Sequence, residues 1–447
     1  MKKNLLFLFI GICIVSGLNA QPSRSEAKLA ADCYNNAYYN NYASGKAFYY
    51  HDVYRNDPLS FWTLAEAIET MIDAAVISKD NGLRNAVSDL FYGFVDLHGS
   101  NWSNNIYNDD LIWGALMGAR AYLMHGDSYM KDIAKFNFDL VWDRGWDNTI
   151  DGGIWWTTNR QTKNACVNAP AALTAMFLFY ITGESHYKTK AENIISWMND
   201  KLYENGKING AINRNFVITE GPRTYTQGTY IGACNELFAI TDNNSYLSNS
   251  IEAMNFTRNQ MCNSNGLLPD EYDTFDCQAF KGIFARWACK FVADRGLAGT
   301  YGAWLNYNAQ QAWDNRNSSG LMWGQWWHRA PDAYLNAWES SSGVAIMNNV
   351  HLFNDLKSTG ISSMLEKSGD YNIGFSVLPN PANEYFIVDM GMELGNINVM
   401  DMSGKIVLTK AEVSGETEVN INRLERGIYF VVMEKHNQVR TEKLIVE

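Results

Sequence analysis

From about residue 24 to about residue 355, apolar positions recur every three or four residues, with short Gly/Asn/Asp turns between the runs. Five of those turns resemble one another: 78–82, 125–129, 182–187, 241–246 and 294–296. From the second onward they recur about every 55–60 residues, a period that fits a helical hairpin with its loops. An opening helix near 24–46 and a closing one near 333–355 bring the expected count to about twelve, in six antiparallel pairs. That is the count of an (α/α)6 barrel, although an open solenoid would show the same repeat without closure. Turns inside each pair are short. Connections between pairs are long and rich in Trp, Asn, Gly and Asp, as in 99–108, 143–163, 203–226 and 262–274. Long loops gathered at one end of a barrel are where a binding site is expected.

The period changes after about residue 356. Residues 358–374 read as a linker, and 375–447 carry short period-two runs such as Tyr385-Phe386-Ile387-Val388, Ile428-Tyr429-Phe430-Val431 and Lys443-Leu444-Ile445-Val446, separated by turn signals. They predict a small all-β sandwich behind an all-α domain spanning 21–357. At the other end, Met1-Lys2-Lys3, an apolar run to Val15 and Leu18-Asn19-Ala20 read as a secretory signal peptide over 1–20. No other stretch reads as apolar enough to span a bilayer, so the mature chain is expected to be exported and soluble, without stable membrane insertion.

Composition narrows the partners. A net charge of −12 argues against nucleic acid and against an anionic membrane surface. The 15 Trp, 24 Tyr and 21 Phe exceed what a core alone explains, and flat aromatic faces stack on sugar rings. Six cysteines follow the signal segment without C-x-x-C or zinc spacing, so neither a metal nor a cofactor is expected. Asp143, Asp147 and Asp151 have helical rather than calcium-loop spacing. Cys262 with Cys277 is the shortest-loop disulfide an exported chain could form, whereas Cys166, Cys234 and Cys289 sit on helical patterns and read as buried thiols.

The strongest chemical constellation is Tyr107-Asn108-Asp109-Asp110-Leu111-Ile112-Trp113, opening a helix. Taken alone, Asn108-Asp109-Asp110 is an N-cap with acidic first-turn residues that suit the helix dipole. The functional alternative is an acid/nucleophile pair. Retaining glycoside hydrolysis needs carboxyls roughly 5–5.5 Å apart, which neighbouring first-turn side chains can reach.

The segment resembles the Asp-Asp motif of glycoside hydrolase family 76, the bacterial endo-α-1,6-mannanases. Three further segments resemble that family in order: Asp151-Gly152-Gly153-Ile154-Trp155-Trp156 with Lys163-Asn164-Ala165, Thr224-Tyr225-Thr226-Gln227-Gly228, and Phe280-Lys281-Gly282-Ile283-Phe284 with Asp276 upstream. The resemblance implies an (α/α)6 barrel and hydrolysis of α-1,6-mannosidic bonds in α-mannan with retention of configuration. It makes Asp109 the nucleophile and Asp110 the acid/base, with Trp155, Trp156, Asn164, Tyr225, Gln227 and Asp276 as substrate-binding residues. Lys281 reads better as a structural ion-pair former, and Trp62 and Glu66 as core plus surface or as cleft. Family members would carry an acidic residue before Tyr225, but 205–218 hold no Asp or Glu, only Asn and basic side chains such as Asn209, Asn213 and Arg214. The terminal segment, with Leu378-Pro379-Asn380-Pro381, Met402-Ser403-Gly404-Lys405 and Lys443-Leu444-Ile445-Val446, resembles the C-terminal sorting domain of type IX secretion. That implies the type IX machinery as partner and a secreted or cell-surface location. Two rivals remain at this point: a non-catalytic surface glycan-binding protein, and a barrel hydrolase or lyase acting on an acidic polysaccharide.

Overall fold

The computed structural model describes residues 21–358, 377–389, 395–402, 405–413, 416–435 and 438–446. The expected signal peptide, and the expected linker beyond residue 358, lie outside the described residues. The helices are α1 (Arg24–Tyr38), α2 (Phe61–Ser78), α3 (Asn81–His98), α4 (Asn108–His125), α5 (Ser128–Gly145), α6 (Ala165–Thr182) and α7 (Ser185–Lys201). They continue as α8 (Thr224–Thr241), α9 (Asn244–Phe256), α10 (Phe280–Asp294), α11 (Ala298–Asp314), α12 (Ala337–Asn349) and a short α13 (His351–Ser358). The expected opening helix ends early. Residues after Tyr38 form a hairpin, Tyr39–Ala43 with Lys46–Tyr49, which packs on α3.

Helices α2, α4, α6, α8, α10 and α12 touch in that order, and α12 returns to α2. That contact distinguishes a closed barrel from a solenoid. The odd-numbered helices α1 to α11 form the outer layer, each against its inner neighbours. Burial follows position. In α6, sixteen residues from Ala165 to Tyr180 are buried, so the helix has no polar stripe and is apolar all round. It is long and apolar enough to cross a membrane by composition, contrary to the sequence reading, but its sides are covered by neighbouring barrel helices. Inner helices approach closely where side chains are smallest. A Cβ on Gly228 of α8 would lie 2.5 Å from the Phe284 Cα of α10, so this crossing requires glycine.

The five similar turns are the inner-to-outer connections. Four end their inner helix on a left-handed residue, Lys79, Gly126, Gly183 or Asp242, whose amide N–H bonds back to the carbonyl four residues earlier. The outer-to-inner connections are the long ones. They all fall at the end of the barrel where the inner helices begin, so the first turns of α4, α6, α8, α10 and α12 surround one mouth.

The C-terminal strands form two antiparallel sheets. One has the order Ile406–Val413, Gly395–Asp401, Gly427–Lys435, Gln438–Val446, and the other Glu416–Asn420, Tyr385–Asp389, Val377–Leu378. Alternate residues, among them Phe386, Val388, Ile397, Val399, Val419, Val431 and Leu444, fill the space between them. All six cysteines described are free thiols, so the Cys262–Cys277 bridge is not formed; Cys166, Cys234 and Cys289 are buried as expected.

Candidate active site

Helix α4 starts at the mouth with Asn108, Asp109 and Asp110 as its first three residues. The N-cap is Tyr107, and no side chain caps the first turn. Asn108 is therefore not the cap read from the sequence. It is buried, accepting from Arg144 Nε at 2.7 Å and donating to the Trp155 carbonyl at 2.7 Å. These bonds clamp the start of α4 to the loop ahead of α6. They leave Asp109 and Asp110 as the half-buried acids at the helix tip.

Each acid accepts from a side chain that orients it, and Asp109 also has the Cys166 thiol as a partner. The Trp156 indole donates to Asp109 Oδ2 at 2.9 Å, and the Asn105 amide donates to Asp110 Oδ2 at 2.8 Å. Asp109 Oδ1 is enclosed without a hydrogen-bond partner. Burial, reinforced by the charge of Asp110, pushes Asp109 up to about 7. Burial also pushes Asp110 up to about 6; the Asn105 bond opposes this and the charge of Asp276 adds to it. Two adjacent carboxyls thus share a proton near neutrality, the condition under which one can act as acid while the other is ionised.

Asp276 sits in the turn Phe275–Ala279 ahead of α10, across the mouth from α4. Its own carboxyl is raised by burial and steadied by the Trp62 indole. Trp62, half-buried on α2, packs edge-on against the buried Trp338 at 4.7 Å. Trp156 is half-buried with its ring 5.6 Å from the exposed Tyr107 ring. Tyr225 is at the first turn of α8, against Phe280 at 4.1 Å and beside the Cys166 thiol, itself a neighbour of Asp109. Asn164 precedes α6, buried, with its Oδ1 lacking a partner.

Two expected substrate-binding residues are not in the cleft. Trp155 is fully enclosed: its indole donates to Asp147 at 2.8 Å, and Lys163 and Arg214 cover its ring at 4.6 and 4.8 Å. Successive residues of this extended segment point to opposite sides, and Trp156 has the cleft side. Gly153 sets the approach, with φ +83° and no room for a Cβ, which would meet the Trp197 ring at 2.5 Å. Gln227 is also fully buried, accepting from the Ile208 amide at 2.7 Å and donating to the Gly206 carbonyl at 2.8 Å. It pins a loop and has no free group for a sugar. Lys281 is the ion-pair former expected, bonded to Asp270 at 2.9 Å, and Glu66 is a core residue paired with Arg286 at 2.7 Å. Asp147 pairs with Lys163 at 2.8 Å.

The structure adds residues that the sequence reading passed over. Glu220 ends the strand Ile218–Glu220, two residues beyond the stretch that lacked an acid, and its charge is felt by both Cys166 and Tyr225. On the other side, Glu339 in the first turn of α12 accepts from the Tyr272 hydroxyl. Asn105 lies ahead of the motif in the 99–108 loop, and its bond to Asp110 marks it.

Residues 23–360 match the family described as Glycosyl hydrolase family 76, and residues 376–447 match the one described as Secretion system C-terminal sorting domain. Among solved structures the chain is similar to the α-1,6-mannanase of Salegentibacter sp. HEL1_6, with 25% identity, TM-score 0.68, and 74% of this chain and 99% of that one covered. An inactive variant of that enzyme, with two consecutive aspartates replaced by alanine, is solved in complex with α-1,6-mannotetrose. A family 76 α-mannanase of Bacteroides thetaiotaomicron shares the fold at 18% identity and TM-score 0.63, covering 75% of this chain and 96% of that one. No curated relative matches the chain.

Proposed function

The chain belongs to glycosyl hydrolase family 76, and from that premise we propose that it cleaves α-1,6-mannosidic linkages of α-mannan, in the interior of the chain, by a retaining double displacement. The observation that carries the reading is the pair Asp109–Asp110 at the barrel mouth, with carboxyls raised to about 7 and about 6. Two consecutive aspartates are also what the inactive Salegentibacter variant lacks.

In this reading Asp109 attacks the anomeric carbon while Asp110 delivers its proton to the departing glycosidic oxygen. The C1–O bond breaks and a mannosyl ester forms on Asp109. Asp110, now ionised, takes a proton from water as that water attacks C1, and the ester bond breaks to restore both groups. Two inversions give net retention. Trp156 orients the nucleophile, Asn105 orients the acid, and Glu220, Asn164, Tyr225 and Asp276 line the wall where sugar hydroxyls need partners. The two raised values belong to the pair; the form that reacts has Asp109 ionised, facing the positive charge that develops at C1, and the proton on Asp110. The tail directs the enzyme through type IX secretion to the exterior or the cell surface.

The test is product analysis on linear α-1,6-mannan with the two acids replaced in turn. Asp109→Gly with azide should give a β-mannosyl azide, and Asp110→Gly with azide an α-mannosyl azide. Identical products from both variants, or no mannan cleavage by the unmodified enzyme, would overturn the reading.

A further inference from the structure

The rim of the mouth carries an aromatic pair that the reaction at Asp109–Asp110 leaves unused. Tyr54 and Tyr334 are 61% and 43% exposed, and their rings lie 5.8 Å apart at 40°. Exposed tyrosines on loose loops are commonplace, but these are held. The Val53 amide donates to the Leu335 carbonyl at 3.1 Å, and the Ala337 amide to the His51 carbonyl at 2.8 Å, stitching the loop ahead of α2 to the loop ahead of α12. Arg55 follows Tyr54 with φ +59°, and its guanidinium anchors the turn by donating to the Ala37 and Asn36 carbonyls. The Tyr54 amide is fixed by Asp52 Oδ1 at 2.8 Å. The two rings are therefore presented at little entropic cost to a ligand.

The pair is continuous with the cleft. His51 stacks on Phe275 at 5.0 Å, next to Asp276, whose charge is felt by Asp110. Asn336, two residues after Tyr334, bonds Gln278 and Glu339 on the same wall. Around the ring of inner helices, the loops ahead of α2 and α12 lie opposite those ahead of α6 and α8, which carry Trp156, Asn164 and Glu220. A chain passing between Asp110 and Asp276 runs from one side to the other. Phenol rings with exposed faces and edge hydroxyls match the apolar faces and hydroxyl rims of a neutral pyranose.

We infer that Tyr54 and Tyr334 form a distal platform that stacks the sugars of a bound mannan chain beyond the scissile bond. This rests on the proposed α-1,6-mannanase activity and adds to it a preference for long chains. Neither residue touches the reacting atoms, so their role is positioning.

The test compares the unmodified enzyme with Tyr54→Ala/Tyr334→Ala on α-1,6-mannan polymer and on the shortest oligomannoside it cleaves. A loss of about tenfold in kcat/KM, carried by KM, is expected on polymer, with the oligomannoside unchanged within about twofold. Tyr54→Phe/Tyr334→Phe, which keeps the ring faces, should retain most of the polymer rate. In parallel, Asp110→Asn protein should be retarded in gels containing α-1,6-mannan, and the double alanine variant should abolish most of that retardation. Equal losses on both substrates, or unchanged polymer kinetics and retardation, would overturn the platform. If the unmodified enzyme neither cleaves nor is retarded by α-1,6-mannan, the substrate reading fails, and the platform as a mannan site fails with it. The first result leaves mannanase activity standing, and the second does not.

Discussion

At the scale of single residues the site turns on where one proton resides. Asp109 and Asp110 are raised to about 7 and about 6, and those two values belong to the pair. Below the lower value both carboxyls are protonated and the nucleophile is lost. Above the higher value both are ionised and the acid is lost. The rate kcat/KM should therefore peak between about pH 6 and pH 7 and fall on both sides, as a bell-shaped profile measures directly. Asp276→Asn removes a charge that raises Asp110, so the acidic limb should move to lower pH, with a smaller change in kcat than either catalytic substitution gives. Asp109 and Asp110 were legible because their sequence context is specific. Trp155 and Trp156 were not separable: adjacent residues of one extended segment, they differ only in which side faces the mouth, and the buried Lys163 with its half-buried partner Asp147 decides it. Tyr225 and Gln227 pose the same problem on a helix, where two residues diverge by about 200°. Trp155→Phe and Gln227→Ala should accordingly lower Tm while leaving KM on mannan near its original value.

At the scale of elements, the hydrophobic period revealed the twelve helices and the short-turn, long-loop alternation, but not what stands at the barrel's centre. Glu66, Glu69 and Asp73 of α2 face Arg120 of α4 and Arg286 of α10. Arg286 donates to all three acids at 2.7–2.9 Å, and Arg120 to Glu69 at 2.9 Å and Asp73 at 2.5 Å. Asn349 of α12 adds a bond to Asp73 at 2.9 Å. Four inner helices meet in this network, and only closure of the ring brings Arg286 to residues more than two hundred positions away. Breaking it should be severe. Arg286→Met leaves buried carboxylates underpaired and is expected to cost about 3–5 kcal/mol in denaturant unfolding. Three acids against two guanidiniums leave one acid in excess, and Glu66 takes the proton: burial raises it to about 7 although Arg286 pulls the other way. A carboxyl whose folded pKa lies above its unfolded one stabilises fully below the unfolded value, and that contribution is lost as pH rises through the folded one. The stability of Glu66→Gln relative to the unmodified protein should therefore improve from pH 5 to about pH 7 and level off above it. A gap independent of pH would place the excess proton elsewhere.

At the scale of the whole molecule, the two domains meet at the barrel end away from the cleft. Tyr180, Glu236 and Lys290 lie in the later turns of α6, α8 and α10, whereas Asn164, Tyr225 and Asp276 lie at or before the first turns of the same helices. Lys443, from the last strand of the sandwich, enters this socket. Its Nζ is 3.2 Å from Glu236 Oε2 and 3.3 Å from the Tyr180 ring centre, while Lys290 approaches Glu236 at 3.2 Å. Burial alone would raise Glu236, but the two ammonium groups and the Tyr180 hydroxyl overcome it and hold the carboxyl far below its usual range. Ile428 and Ile445 of the sandwich pack into the barrel's own apolar cluster beside it. The period-two pattern indicated a β domain without indicating this contact, since Lys443 reads as an ordinary strand lysine until Glu236 is placed opposite. Replacing Lys443 by Met leaves Glu236 one cation instead of two, so the cost should be part of the about 3–5 kcal/mol that a fully broken buried pair loses. Because the socket is at the far end of the inner helices, that loss should not reach the chemistry. Lys443→Met is expected to lower the sandwich's unfolding temperature in scanning calorimetry and to leave kcat/KM on mannan within about twofold. A matching fall in kcat/KM would mean that the docking end and the catalytic end are coupled through α6 and α8, the inner helices that carry Tyr180 and Glu236 at one end and Asn164 and Tyr225 at the other.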